Sequence, residues 1–357
     1  MPTLTETAVT ARKVIKYSII AIIGISLLVP ASNAFRAYWE KTHPAPPPAP
    51  TVSFGQIPAI TFPQSQAQEQ YQFQLQTIEG VLPSMPTQAK VYFVFTVGPK
   101  FFDEEKTREK ARLLGFPEEI ARDPYYRYTF KNPQTSATLK LDMLNENFEV
   151  RYPFEIDPFF IGQASPTPQQ ALGIIQNFLA GGNSWPDDID KEKTKNLFFK
   201  YDQGKRELFL APSLSEAEVV KVNLFRADLE GLPLLPPNPQ DSNISFLVGQ
   251  KEGKSIIIAG KYIHFPIHQE QMATYPLKNS TLAWEEVKAG KAFIGNLGNN
   301  SADKPIIIRR IYLAYFDPSL PQNFLQPIFV FEGDNDFIAY LPAIDSSWIK
   351  ETASTGE

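Results

Sequence analysis

Cysteine is absent from this chain. That excludes disulfides, thiolate metal centres and a cysteine nucleophile, so a folded body must hold together by burial alone. Histidine is nearly absent too: His43, His264 and His268. His264 and His268 stand four apart, but Pro266 between them reads as extended chain. Four strand residues span about 13 Å, too far for two imidazoles to share a metal without a sharp bend. Neither G-x-x-x-x-G-K-[ST] nor G-x-G-x-x-G occurs, so no loop is expected to cradle a nucleotide phosphate. There is no overall basic excess either. The net charge is −5 and the pI about 5.5, so nucleic acid is not an expected partner.

What is present is ordered most clearly in the first fifty or so residues. Arg12, Lys13 and Lys16 lead into an apolar run from Tyr17 to Val29. A collar of Phe35, Tyr38, Trp39 and Lys41 follows, then a proline tract from Pro44 to Pro50. This order reads as a cytoplasmic tail (1–16), a transmembrane anchor (17–38) and a proline-rich spacer (39–63). Tyr17 to Phe35 is about 19 residues, close to the roughly 20 needed to cross a hydrocarbon core. The expected anchor side chains are Tyr17, Ile19, Ile20, Ile22, Ile23, Leu27, Leu28 and Val29, with Trp39 at the interface. Three cations before the run against two after it (Arg36, Lys41) place the N-terminus inside. Ser32-Asn33-Ala34 also fits a signal-peptide cleavage site, and both readings export the remainder.

The remaining residues suit a packed α+β body. Hydrophobic content is 43%, with 27 phenylalanines, which is ample for a core. Thr51 to Pro63 reads as an extended ribbon. Tyr71, Phe73 and Leu75 alternate with glutamines as a half-buried strand, and Lys90–Val97 is a second strand. Asp103 to Leu114 is helical, followed by strands over 125–130 and 137–144 and a hairpin return over 148–152. A second cycle starts with a helix over Gln169–Leu179, stopped by Gly181-Gly182, and continues through strands at 197–201, 207–210, 219–225, 244–248 and 255–265. A third helix over Ser280–Ala289 precedes strands at 305–316, 326–331 and 337–341. Helix-then-hairpin order predicts antiparallel sheets with helices packed on one face, in two domains, 64–160 and 161–345, and a disordered tail over 346–357.

Candidate chemical motifs carry little. Ser301–Lys304 and Ser347–Lys350 match S-x-x-K, but one lies in an Asn/Gly loop, the other in the tail, and no K-T-G accompanies them. Asp334-Asn335-Asp336 lacks calcium-loop spacing and reads as a turn. Asp187-Asp188-Ile189-Asp190 reads as a solvated acidic loop, with a surface cation site as the alternative. The three N-x-[ST] sequons, at Asn243, Asn279 and Asn299, carry no functional weight. No catalytic, metal or cofactor residue is therefore expected. The Pro-rich excursion Leu232–Pro239 is the expected partner contact, through Leu232, Pro233, Leu235, Pro236 and Pro237.

From about Thr194 onward the chain resembles the extracytoplasmic domains of the YycH/YycI proteins and, more loosely, PepSY-like modules. The likeness rests on the helix bearing Ala283, Trp284 and Val287 and ending at Gly290, on the strand around Ile311–Tyr315, and on Leu325–Phe331 returning beside it. Leu224-Phe225-Arg226 with Gly231-Leu232-Pro233 completes it. The resemblance implies a single-pass anchor carrying an α+β domain that restrains a membrane partner without chemistry of its own. The expected function is thus a non-catalytic, membrane-anchored extracytoplasmic binding and regulatory module. Its expected contacts are an envelope protein in or near the membrane and the lipid bilayer. An envelope scaffold and a carboxylate-dependent cell-wall hydrolase are the alternatives.

Overall fold

The computed structural model describes residues 12–18, 26, 28–30, 32–36, 38–39, 48–63, 71–94 and 104–350. Met1–Ala49 and Pro50–Glu357 are separate compact units. In the first unit the described backbone is helical from 12 to 39, and Tyr17, Leu28, Val29, Phe35, Tyr38 and Trp39 are solvent-exposed. Ile19, Ile20, Ile22, Ile23 and Leu27 of the expected anchor lie outside the described residues. Among the described residues no helix is long and apolar enough to cross a membrane.

The second unit is a mixed α+β body of several sheets and few helices. Its main layer is a nine-stranded antiparallel sheet. Four strands come from the first cycle: β3 (Glu118–Arg122), β4 (Arg127–Lys131), β5 (Thr138–Asp142) and β6 (Phe148–Arg151), numbered after β1 (Phe73–Leu75) and β2 (Gln88–Val94). Five come from the second: β7 (Ile189–Asp202), β8 (Glu207–Leu210), β9 (Val219–Arg226), β11 (Ile244–Lys251) and β12 (Lys254–Tyr262). The order is β3-β4-β5-β6-β12-β11-β9-β7-β8, with β6 hydrogen-bonded to β12. One sheet thus runs continuously across the expected domain boundary at 160.

Alternation decides which side of this layer is buried. Tyr128, Leu141, Phe148, Tyr262, Ile244 and Leu224 form one cross-strand row, and Phe130, Leu139, Val150, Gly260, Phe246 and Val222 form the next. Paired residues point to the same side, so both apolar rows face the same way. Helices α1 (Glu104–Leu113) and α2 (Pro168–Gly181) cover them, with Ala111, Ala171, Ile175 and Leu179 in the shared core. Phe178 of α2 sits edge-on to both Phe148 and Phe246. Helix α2 starts in a capping box: the Thr167 hydroxyl accepts from the Gln170 amide, and the Gln170 side chain accepts from the Thr167 amide. Gly260 lies opposite Phe246, whose ring fills the space a Cβ would need, 2.2 Å from it.

The second layer is a six-stranded sheet, with β1, β15 (Ile306–Phe316), β17 (Pro327–Gly333), β18 (Ile338–Pro342) and β14 (Phe293–Asn296) in order and β10 (Leu234–Leu235) on β15. Helix α3 (Ser280–Lys288), capped by the Asn279 side chain, packs Ala283, Trp284 and Val287 into its core. The third sheet is β13 (Ile267–Pro276), β2 and β16 (Phe324–Leu325).

Three expectations are corrected. The six-stranded sheet is mixed, because β1 and β10 both lie parallel to β15. Parallel pairs need distant connections, which local hairpin signals cannot reveal. The spacer expected to reach residue 63 ends earlier: Ile57 and Ile60 are buried, Ile57 bridging to Ile349. The tail expected to be disordered from 346 instead forms a 3-10 turn at Ser346–Trp348, with Trp348 edge-on to Tyr275 and the Lys350 amide donating to the Ile57 carbonyl. Apolar Ile57, Trp348 and Ile349 pack against one core and so hold both chain segments.

Candidate functional site: a polar cleft at one end of the large sheet

A cleft of about 790 Å³ opens where α2 runs into β7 and β12 runs into β13. Helix α2 stops at Gly181, and the Ser184 amide turns back to the Leu179 carbonyl. A Cβ on Gly182 would stand 2.4 Å from Leu114, so glycine is what lets this turn press on the end of the α1 segment. The chain then presents Ser184, Trp185, Asp187 and Asp188 to the cleft before β7 begins. Glu146, in the β5–β6 turn, and Lys110 of α1 line the far wall as an ion pair.

Behind Asp188 and His264 of the cleft lining runs a chain of charges. The Arg226 guanidinium, at the end of β9, is almost wholly buried. Its Nε donates to Asp188 Oδ2 (2.8 Å) and its Nη1 to Asp317 Oδ1 (2.8 Å). The Asn243 amide donates to Asp317 Oδ2 at 3.0 Å. His264 Nε2 lies 2.9 Å from Asp188 Oδ1, and its backbone amide donates to Asn147 Oδ1. The network therefore ties the large sheet, through Arg226, Asn243 and Asp188, to the end of β15 at Asp317.

The electrostatics follow from that geometry. Burial alone would raise the Asp188 carboxyl. The hydrogen bond to His264 and the charge of Arg226 outweigh it and hold the group well below the usual carboxylate range. Burial would lower the Arg226 guanidinium, but Asp317 and Asp188 raise it instead. Tyr262, buried behind His264 and facing the Asp188 charge, is pushed above its ordinary value.

The groups that could react here are engaged with other partners. A histidine–aspartate pair beside a serine has the parts of an acyl-transfer site. Ser184, however, is buried and donates its hydroxyl to the Gly182 carbonyl at 3.1 Å. His264 and Arg226 hold the Asp188 carboxyl below the usual range, which unsuits it as a proton donor for glycoside cleavage. Glu146 is paired with Lys110 and Asp228 with Lys193. Among the described residues no group of three His, Asp or Glu could hold a metal ion.

The residues singled out in the sequence are placed as follows. Leu234–Leu235 of the Pro-rich excursion form β10. Pro236 is buried, and Leu232, Pro233, Leu235 and Pro237 are half-buried. The Pro236 carbonyl accepts from the Tyr340 hydroxyl. Asp188 is not the solvated loop residue that its acidic neighbours suggest, because the buried Arg226 claims it. His268 lies in β13 near Phe93, away from His264. Ser301 bonds to Asp303 within its own loop, and Asp334 is paired with Arg309. Sequence reasoning missed the Arg226 network. Its signal was a buried-parity arginine at the end of strand VVKVNLFR, in step with Val220, Val222 and Leu224.

No family model matches the chain, and none of the curated proteins does. Solved structures of similar layout include an uncharacterized protein from Eubacterium rectale ATCC 33656 (11% identity, TM-score 0.37, covering 75% of this chain and 86% of that one). YycH from Bacillus subtilis is 10% identical with a TM-score of 0.29, over 71% of this chain and 52% of that one. The Bacillus megaterium YpeB C-terminal domain is 12% identical with a TM-score of 0.29, over 71% and 97%. With each of these TM-scores below 0.5, the likeness carries neither family membership nor function.

Proposed function

We propose that this protein is a membrane-tethered, extracytoplasmic binding and regulatory module, without catalysis of its own, that receives a segment of an envelope protein in its polar cleft. The observation that carries this reading is the cleft itself. It is roomy, at about 790 Å³, within the range of ligand sites. Three of its carboxylates are already engaged: Asp188 with His264 and the buried Arg226 behind it, Glu146 with Lys110, and Asp228 with Lys193. Trp185 and Asp187 stay available, the first half-buried and the second exposed. The location rests on the N-terminal order of cations, apolar run, aromatic collar and prolines, and on the exposed apolar side chains of that unit.

A photo-crosslinking residue in place of Trp185, in cells making the full chain, tests the reading. A discrete adduct with one membrane protein is expected, absent when the same residue replaces Ile120, which is exposed in strand β3 and outside the cleft lining. Equal adducts at both positions would overturn it. So would hydrolysis of cell-wall glycan by the purified chain that is lost in Asp188→Asn.

A further inference from the structure

The large sheet has a second face, and its composition is opposite to that of the chain as a whole. Register places Thr129, Lys140, Glu149, Lys261, Ser245, Asn223 and Lys195 in one cross-strand row. The adjacent row is Lys131, Thr138, Arg151, Ala259, Leu247, Lys221 and Leu197. Both alternate with the helix-covered rows and so point away from α1 and α2. Within these two rows, which cross seven strands from β4 to β7, each strand but β11 places one cation: Lys131, Lys140, Arg151, Lys261, Lys221 and Lys195 in spatial order. Strands stand about 4.8 Å apart, so the track runs roughly 29 Å across the sheet. Glu149 is the acid within these rows, and Asp241 and Glu155 reach in from loops to pair with Lys221, Lys261 and Arg151. Lys131 and Lys140 have no ion-pair partner among the described residues. All six cations are exposed or half-buried in a chain whose net charge is −5.

A second, independent observation lies on β9, beside the gap that β11 leaves in the track. Asn223 is fully buried, and neither its amide nitrogen nor its amide oxygen has a hydrogen-bond partner. An orphaned buried amide costs about 1–3 kcal/mol unless something satisfies it. Its cross-strand neighbour Lys195 stacks on Phe225, the next residue on the same face, at 5.2 Å. An anion that draws Lys195 off that ring would give Asn223 Nδ2 an acceptor.

We propose that this face binds a linear polymer carrying repeated phosphate groups, laid across the strands along the cation track. The face is lysine-rich and lacks the exposed aromatic anchors that dominate protein–protein hot spots. The Phe225 ring on this face is half-buried under Lys195 rather than open for base stacking, which points to a base-free phosphate chain. The proposal is independent of the cleft.

The test uses the 357-residue chain and labelled inorganic polyphosphate, read by fluorescence anisotropy. If the six cations are engaged, affinity falls roughly 300-fold between 50 and 200 mM salt, from the single-strand counterion slope. In Lys140→Gln/Lys195→Gln/Lys261→Gln that fall shrinks to about 20-fold, while Lys288→Gln/Lys291→Gln leaves it unchanged. Lys131→Gln/Arg151→Gln is a second reduction on the same face, should the triple variant not fold. No binding at 50 mM salt, or a slope that neither set of face variants changes, would overturn the proposal. Poly-glutamate, anionic vesicles or single-stranded DNA binding more tightly than polyphosphate would do the same.

Discussion

Replacing Arg226 by methionine is the most informative single perturbation of this fold. The guanidinium is 4% exposed and holds two carboxylates, with Nη1 2.8 Å from Asp317 Oδ1 and Nη2 2.6 Å from Asp188 Oδ2. Nη2 lies at an angle that makes no hydrogen bond, so the strength of the pair lies in Nε, Nη1 and the charge itself. Methionine fills much of the volume and removes the charge. Asp188 keeps His264 and is partly open to the cleft. Asp317, with a side chain 8% exposed, keeps as its side-chain donor only the Asn243 amide at 3.0 Å. Removing one partner of a buried pair costs about 3–5 kcal/mol, most of it the stranded charge. For a body of this size that corresponds to a Tm lower by about 6–10 °C. Adding Asp317→Asn to Arg226→Met should recover more than half of the loss, because no buried charge then remains. Urea unfolding of the two single variants and the double variant measures the coupling directly. A cost below about 1 kcal/mol for Arg226→Met, or an additive double variant, would refute the reasoning.

Three further outcomes follow from the same structure. Gly260→Ala should cost about 1–3 kcal/mol in chemical denaturation, because its methyl enters the Phe246 ring at 2.2 Å. Thr167→Ala should cost about 1 kcal/mol by removing the capping box of α2, while Thr167→Ser retains stability. Asp188 titrates below its ordinary value of 3.8, so its contribution to stability is complete above that pH and drains away as pH falls below it. The unfolding midpoint of wild type should therefore drop more steeply from pH 5 to pH 3 than that of Asp188→Asn; parallel curves would contradict this.

Much of the fold was legible because its signals are local. The α2 and α3 segments announce themselves by apolar spacing and by the glycines that follow them, Gly181-Gly182 and Gly290, while the Asn279 cap of α3 shows only in the structure. Most strands show in period-two alternation. What escaped was non-local. Strand β3, EEIAR, is exposed at every position and carries no burial signal to read. The parallel pairings of β1 and β10 with β15 join segments far apart in sequence, where no turn residue marks the contact. The cleft was hidden for the same reason. Asp188, Arg226, His264 and Asp317 come from four separate connections, and each alone looks like an ordinary polar residue at the end of a strand.

The large sheet also shows why whole-chain charge was a poor guide. A net charge of −5 argues against any polyanion if charge is spread evenly. An antiparallel sheet does not spread it evenly, because alternation sends every second residue to the same side. Phe130 and Lys131 are neighbours in sequence, yet one packs under α1 and α2 and the other faces solvent. The same holds for Leu139 and Lys140, Val150 and Arg151, and Val222 and Lys221. The pattern that builds the hydrophobic core thus collects the cations on the opposite face. A charge reading made on every second residue of each strand would have separated the basic face from the acidic loops around the cleft.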